Sequence, residues 1–230
     1  MKRHTYSLIA LAVLAGPLAA SFEPPVHFWK HWPSVAAALA LSGALYLFWD
    51  ALVVRRGDWK FNSRFTGTFR LFGLPAGEYL FFVAVPYACL FLFEVVRTFS
   101  GATVWWPSEA ADLLVTALAF AAAAWMLRSR SYTTLALTSV AAFLTTLALT
   151  NPGLAGHSEF WIWFGLCFVG FILVDGAYTT LPTIWYNPLA VTGLRIGPIP
   201  IEDFFYNFSY LGLTLCFYLL FEGWFGTTGT

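Results

Sequence analysis

Hydrophobic residues run along this chain in seven long stretches separated by short polar segments. The stretches cover about 5–22, 33–54, 76–97, 109–127, 132–150, 159–181 and 203–224. Each is close to the ~20 residues that an α-helix needs to cross a bilayer. The pattern therefore predicts an all-α, polytopic membrane protein with seven transmembrane helices.

A set of polar residues occurs twice in this apolar background. Residues 50–78 recur without a gap 125 residues later, and the matching residues are Asp50, Asn62, Arg70, Pro75 and Glu78 with Asp175, Asn187, Arg195, Pro200 and Asp203. The offset maps the first three helices onto the last three and leaves the fourth as a connector. A duplicated polar frame in a membrane protein indicates one site built between two halves.

The repeat predicts three regions: a first repeat over 1–100, a connector with the fourth helix over 101–130, and a second repeat over 131–230. Because the connector adds one crossing, the two three-helix repeats are expected to be parallel, with both polar loops on one side. The first stretch follows Lys2 and Arg3 and ends near the small residues Ala19, Ala20 and Ser21. That pattern also fits a cleaved signal peptide. An apolar segment at the matching place in the second repeat favours a spanning helix.

Composition and charge support a membrane location. The chain is 59% hydrophobic and 10% charged, with a mean hydropathy of +0.71 and no net charge. No basic stripe suggests nucleic-acid binding. Ten of the 12 Lys and Arg residues lie at the amino terminus and in the loops after helices 2, 4 and 6. The positive-inside rule then predicts a cytoplasmic (inner) membrane protein with its amino terminus in the cytoplasm and its carboxyl terminus outside.

Each repeat places an acid against aromatic residues at a helix start. Glu78 follows Pro75, and Asp203 follows Pro200. Residues three and four apart share a helix face, so aromatic rings should lie beside both acids. A carboxyl in an apolar pocket favours its neutral form and can serve as a proton donor. With rings that stabilise a carbocation and a second carboxylate that removes a proton, such a site suits cation-olefin cyclisation.

Plainer interpretations stay open for single residues. An acid in a first helical turn stabilises the helix dipole. Arg70 and Arg195 are expected either to hold one acid ionised or to serve the structure only, and Asn62 and Asn187 favour loop capping. A small-solute transporter with three plus one plus three helices is the main alternative function. It should carry polar residues at mid-membrane, whereas the acids here cluster at one membrane edge.

Two segments carry a recognisable motif, LFGLPAGEYLFF from Leu71 to Phe82 and GLRIGPIPIEDFFY from Gly193 to Tyr206. The first resembles the first motif of the membrane-embedded lycopene cyclase domain family, and the second resembles its second motif. The resemblance implies a fused, tandem-domain lycopene β-cyclase without cofactor or metal, which acts on lycopene or a related acyclic carotenoid. It implies closure of the ψ ends to β-ionone rings, through γ-carotene to β-carotene, without net redox change. The expected partners are this carotenoid and the bilayer, and a homo-oligomer is left open.

The resemblance also assigns site residues, with one departure. The family motif reads Pro-x-Glu-Glu, and Gly77 stands where the first glutamate is expected. The predicted catalytic residues are Glu78, Glu202 and Asp203. The predicted supporting residues are Asp50, Asp175, Arg70, Arg195, Asn62 and Asn187. The residues predicted to contact substrate are Phe81, Phe82, Phe205, Tyr206, Trp185 and Tyr186.

Overall fold

Apolar runs of the sequence form the long helices of the computed structural model, which describes residues 4–101 and 103–225. The prediction of an all-α protein is confirmed, and Lys2 and Arg3 lie outside the described residues. The helices are α1 (Thr5–Ala20), α2 (Trp32–Arg56), α3 (Ser63–Thr66), α4 (Ala76–Ser100), α5 (Ala110–Met126), α6 (Ser131–Thr150), α7 (Ser158–Thr180) and α8 (Ile201–Phe225). Short 3-10 turns precede α2 and α7 at Phe28–His31 and Pro152–Gly156.

Within the described ranges, five helical segments are long and apolar enough to cross a bilayer. They are Phe28–Arg56, Ala76–Ser100, Ser131–Thr150, Ser158–Thr180 and Ile201–Phe225. α1 and α5 are apolar but have 16 and 17 residues. At about 1.5 Å per residue they are roughly 25 Å long, less than the ~30 Å hydrocarbon core. Seven crossings therefore remain a prediction.

The helices pack in pairs around an aromatic core. α6 lies against both α5 and α8, α1 against α4, α2 against α8, and α4 against α7. Trp163 of α7 donates its indole N–H to the Cys89 carbonyl of α4 at 2.7 Å. Gly212 of α8 has no side chain to hold Phe143 of α6 away. Close helix approach and polar bonds between helices are the usual sources of packing energy in a membrane.

Short strands join the two polar loops. β1 (Trp59–Phe61) follows α2, and β2 (Ile184–Tyr186) follows α7; they pair antiparallel. A second small pair, β3 (Arg195–Ile196) with β4 (Ile199–Pro200), leads into α8. Neither pair was predicted, because each strand is only two or three residues long.

Asn62 and Asn187 form equivalent hydrogen bonds between the two loops. The Asn62 backbone N–H donates to the Thr183 carbonyl at 2.8 Å, and that of Asn187 donates to the Asp58 carbonyl at 2.7 Å. Each side-chain oxygen also accepts a backbone N–H two residues further along its own loop. Both asparagines thus have the loop-capping geometry, and they tie each loop to the other.

Candidate functional site

Four carboxyl groups from the repeated frame line one cavity of about 60 Å³. They are Asp50, Glu78, Asp175 and Asp203. We call this space the carboxyl cavity. Asp50 and Asp175 lie near the ends of α2 and α7, whereas Glu78 and Asp203 lie in the first turns of α4 and α8. The β1 and β2 strands cover the cavity, so its acids are held away from the loop surface.

Tyrosine side chains surround these acids. Six tyrosines line the carboxyl cavity: Tyr6, Tyr132, Tyr178, Tyr186, Tyr206 and Tyr210. The Tyr206 hydroxyl donates to Asp50 Oδ1 at 2.8 Å. Asp203 accepts two phenols, Tyr132 on Oδ1 and Tyr186 on Oδ2, each at 2.6 Å. Hydrogen bonds of this kind stabilise negative charge on the carboxyl that accepts them.

The other two acids of the carboxyl cavity each keep an oxygen without a hydrogen-bond partner. These atoms are Glu78 Oε2 and Asp175 Oδ2. Applying the 125-residue offset, Phe81 stands beside Asp175 where Tyr206 stands beside Asp50. Phenylalanine has no hydroxyl to donate, so Asp175 lacks the phenol that Asp50 has.

Glu78 shows the same difference from its counterpart. Phe61 stands where the offset would place a partner like Tyr186, so the Glu78 carboxyl lacks that second phenol. Tyr6 and Asp50 lie within side-chain hydrogen-bonding reach of Glu78. The four acids therefore differ in their oxygens: Glu78, although Tyr6 reaches it, and Asp175 each keep a bare oxygen, meaning one without a hydrogen-bond partner, whereas no such oxygen is found on Asp50 or Asp203.

Tyr186 is the one phenol contributed by a loop strand. Its burial raises its pKa well above the ordinary tyrosine value, and the neighbouring Asp203 carboxyl raises it further. The hydroxyl therefore stays protonated and remains a hydrogen-bond donor to Asp203. The Arg195 guanidinium lies 5.7 Å from the centre of the Tyr186 ring. Such a contact is a cation–π interaction.

The two arginines of the repeated polar frame bond to loop carbonyls. Arg195 donates to the Pro198 carbonyl at 2.6 Å, and Arg70 donates to the Gly67 and Phe69 carbonyls at 2.8 Å. Partial burial lowers the pKa of Arg70 from its ordinary value. Among the residues that the structure describes, neither arginine forms an ion pair with an acid of the carboxyl cavity. Their contacts fit a role in loop shape.

Glu202 lies on another side of α8 from Asp203. Its Oε1 accepts the Thr133 hydroxyl at 2.6 Å, the Thr192 backbone N–H at 2.7 Å and the Thr192 hydroxyl at 2.8 Å. It lines a separate groove of about 480 Å³ together with Phe205. Residues adjacent on a helix point about 100° apart, which separates these two acids.

Gly77 corresponds to Glu202 in the first repeat, and the space for a side chain is taken there. A Cβ built on Gly77 would lie 2.6 Å from Tyr6 Cδ1 and 3.0 Å from Ser7 Oγ. α1 packs against α4 at this point. The departure from the family motif therefore lets Tyr6 reach the carboxyl cavity.

The aromatic residues predicted to contact substrate separate into several environments. Phe81, Tyr186 and Tyr206 line the carboxyl cavity. Phe82 is buried, with its ring centre 5.1 Å from that of Tyr210. Trp185 is 56% exposed and points away from the cavity.

An apolar slot of about 180 Å³ adjoins the carboxyl cavity between α4 and α7. The two spaces share four lining residues: Phe81, Phe171, Asp175 and Asn207. The other lining residues are apolar. On α4 they extend as far as Leu92, and on α7 they extend as far as Leu166. We call this space the apolar slot. The amide nitrogen of Asn207 and the free oxygen of Asp175 have no hydrogen-bond partner.

Several cavity tyrosines were not predicted. Tyr6 and Tyr132 occupy the starts of α1 and α6 and reach Glu78 and Asp203 respectively. They are 126 residues apart, one more than the offset of the polar frame. Extending the repeat with a one-residue shift would have found this pair.

Other acids bond far from the carboxyl cavity. Glu94 Oε1 accepts the Arg97 guanidinium at 2.9 Å and the Tyr218 hydroxyl at 2.8 Å. Glu222 Oε2 lies 2.8 Å from His31 Nδ1. These groups lie toward the ends of α4 and α8 opposite to Glu78 and Asp203, so they do not join the site.

Comparison with known protein families shows which family the chain resembles over most of its length. A family model described as "Lycopene cyclase" matches residues 3–96 and 129–221, well over half of the chain. Each matched segment contains one of the two proline–acid motifs. Comparisons with curated proteins and with solved structures gave no match.

Proposed function

The chain belongs to the lycopene cyclase family, and we propose that it is a lycopene β-cyclase of the fused, tandem-domain form. A proton adds to the terminal double bond of an acyclic ψ end, and an internal double bond attacks the resulting carbocation to close a ring. A neighbouring carbon then loses a proton, which gives the β-ionone ring. One proton is gained and one is lost, so the reaction balances without redox change. Two rounds convert lycopene through γ-carotene to β-carotene.

The observation that carries this proposal is the grouping of four carboxyls, three of them buried and Asp175 half-buried, with six phenols beside an apolar slot. Each repeat, 1–100 and 131–230, supplies two of the acids, so the site needs both. The family match supports a carotenoid cyclase in general. The β-type product and the residue roles are our proposal, and the match gives no support to a transporter.

We assign the proton donor to the two acids of the carboxyl cavity that have a bare oxygen, Glu78 and Asp175. A carboxyl among aromatic rings can hold its proton, and an oxygen without a competing donor is free to face a double bond. Asp203, which accepts two phenols, is assigned as the proton acceptor, because those phenols stabilise the negative charge that it carries.

The aromatic walls supply the remaining requirement, which is stabilisation of a carbocation. Phe81, Phe171 and Tyr178 all line the carboxyl cavity. Aromatic faces attract cations, most strongly where water is excluded. Apolar aromatic walls also exclude water, which would otherwise trap the cation as an alcohol.

Glu202 receives a positioning role in this proposal. Its bonds to Thr133 and Thr192 join α6 to the loop that precedes α8. Tyr132 is the neighbour of Thr133, so the same contact fixes the phenol that bonds Asp203.

Expression in lycopene-accumulating cells tests the function. We expect cyclised product from the wild type, with β-carotene indicating closure of both ends and γ-carotene alone indicating closure of one end. Glu78→Gln and Asp203→Asn should each remove the product while the protein remains in the membrane, as measured by pigment chromatography and immunoblotting. Glu109→Gln, at an exposed carboxyl before α5, is the matched control. Unchanged lycopene in wild-type cells would refute the proposal.

We further propose that the loops covering the carboxyl cavity face the cytoplasm. Most Lys and Arg residues lie in those loops and at the amino terminus, which is the distribution of the positive-inside rule. With seven crossings, alkaline phosphatase fused to the carboxyl terminus should be active outside the inner membrane. An inactive fusion whose fluorescent-protein equivalent is bright would contradict the combination of a cytoplasmic amino terminus with seven crossings.

A further inference from the structure

The apolar slot has a counterpart in the repeat, and that counterpart is filled. By the 125-residue offset, the α4 and α7 faces that line the slot correspond to faces of α8 and α2. Tyr210 of α8 corresponds to Val85 of the slot, and its ring centre lies 4.7 Å from that of Tyr46 on α2. Leu45 of α2 corresponds to Gly170 of α7. Tyr46 itself corresponds to Phe171, a ring of similar size in the slot wall, so the difference between the two interfaces lies in the larger Tyr210 and Leu45 against Val85 and Gly170.

Gly170 is the residue that most directly leaves the apolar slot open. It lines the slot, and a Cβ built there meets no atom within 4 Å. A glycine inside a helix is less favourable than alanine, so helix stability does not explain it. No close packing requires it either. The remaining consequence of the glycine is empty space on the slot side of α7.

The slot runs from the carboxyl cavity toward the middle of the membrane. Its α4 wall extends from Phe81 to Leu92, a rise of roughly 16 Å at about 1.5 Å per residue. That is about half of the ~30 Å hydrocarbon core. Leu166 and Gly170 on its α7 wall are exposed on the outer surface of the helices. The slot therefore opens sideways into lipid.

We propose that the apolar slot binds the hydrocarbon chain of a long acyclic polyene behind its reacting end, and that Gly170 sets the width of the slot. The inference rests on the proposed cyclase function. A polyene dissolved in the bilayer would slide in between α4 and α7 and place its end among the four acids. An engineered cavity of ~150 Å³ is known to hold benzene, so the slot volume of about 180 Å³ suits an unbranched or methyl-branched carbon chain.

The apolar slot has a consequence for how the two cyclisations follow each other. Among the residues that the structure describes, the equivalent passage between α2 and α8 is occupied by Tyr46 and Tyr210, so we expect both ends of a symmetric polyene to enter through the apolar slot. The substrate therefore has to withdraw and turn round between two cyclisations. The singly cyclised intermediate is expected to leave the protein before the second ring forms.

A size series at Gly170 tests the slot. Gly170→Ala, Gly170→Leu and Gly170→Phe add increasing volume, and leucine is the residue that the other repeat has at this position. We expect the rate of lycopene conversion by purified protein to fall little for alanine and at least tenfold for leucine and phenylalanine. Carotenoid retained by the protein on purification should fall in the same order, which gives a readout independent of turnover.

Two further variants separate slot closure from misfolding. Gly165→Leu is the matched control, because Gly165 lies on the same helix, also has open space around it, and does not line the slot. Ala88→Leu narrows the slot from the α4 side and should reproduce the loss. Wild-type rate and carotenoid retention in Gly170→Leu and Ala88→Leu would overturn the slot while leaving the cyclase function standing. Absence of cyclised product from the wild type would instead refute the function.

Discussion

Phe81→Tyr adds a single hydroxyl group to the site. It tests whether the oxygen of Asp175 that has no hydrogen-bond partner matters for the reaction. Phe81 holds the position beside Asp175 that Tyr206 holds beside Asp50, and it lines both the carboxyl cavity and the apolar slot. Tyr206 donates to Asp50 at 2.8 Å. By the same geometry, a hydroxyl at position 81 should donate to the bare Asp175 Oδ2 and supply the partner that this oxygen lacks.

The magnitude follows from the strength of a hydrogen bond to a charged group, about 1.5–3 kcal/mol. A phenol that donates to Asp175 stabilises its ionised form over its protonated form. If Asp175 is a proton donor, the added cost of keeping it protonated appears in the barrier. A change of about 1.5–3 kcal/mol corresponds to a rate roughly 10- to 150-fold lower.

The assay is single-turnover conversion of lycopene by purified Phe81→Tyr protein in lipid vesicles. Phe99→Tyr adds the same hydroxyl at an exposed position near the far end of α4, so it controls for the substitution itself. Thermal unfolding of both variants controls for stability. A Phe81→Tyr protein as stable and as fast as the wild type would refute the assignment of Asp175 as a donor.

Two other substitutions probe the neighbouring residues of the family motif. Glu202→Gln keeps an acceptor oxygen but removes its negative charge, so the three hydrogen bonds to Glu202 Oε1 weaken and the free energy of unfolding should fall by about 1–3 kcal/mol. Turnover per folded molecule should stay within a few-fold of wild type. A loss of turnover as deep as that of Asp203→Asn would give Glu202 a chemical role. Gly77→Glu restores the family motif but drives a side chain into Tyr6, so we expect a clearly lower unfolding temperature and little product. A stable, active Gly77→Glu protein would show that α1 tolerates displacement.

Hydropathy and the repeat were enough to place the long helices and the acids. The predicted stretch at 132–150, for example, corresponds to Ser131–Thr150. Asp50 and Asp175 share a cavity with Glu78 and Asp203, and the repeat had singled out all four. The reason is physical: ionisable groups are costly in lipid, so a pair that occurs twice marks an interior site.

Other features were beyond what the sequence offers. From the sequence, a tyrosine such as Tyr132 in an apolar helix is interpreted as a packing residue. The structure shows that its hydroxyl donates a hydrogen bond to Asp203. Glu202 and Asp203 are adjacent, and only the rotation of α8 decides which one faces the carboxyl cavity. The arginines lie in irregular loops, where Arg70 satisfies nearby carbonyls instead of an acid. In each case a side-chain direction, set by tertiary packing, decides the role.

The strand pair between the two loops has an internal symmetry. In its register Lys60 faces Trp185, and these two positions are themselves 125 residues apart. An antiparallel contact whose central residues are copies of each other is the arrangement found at a twofold axis between identical subunits. A lone repeat would leave its strand edge unpaired and half of the acids missing. The two loops thus meet within a single chain in the way that two subunits meet at a dimer interface.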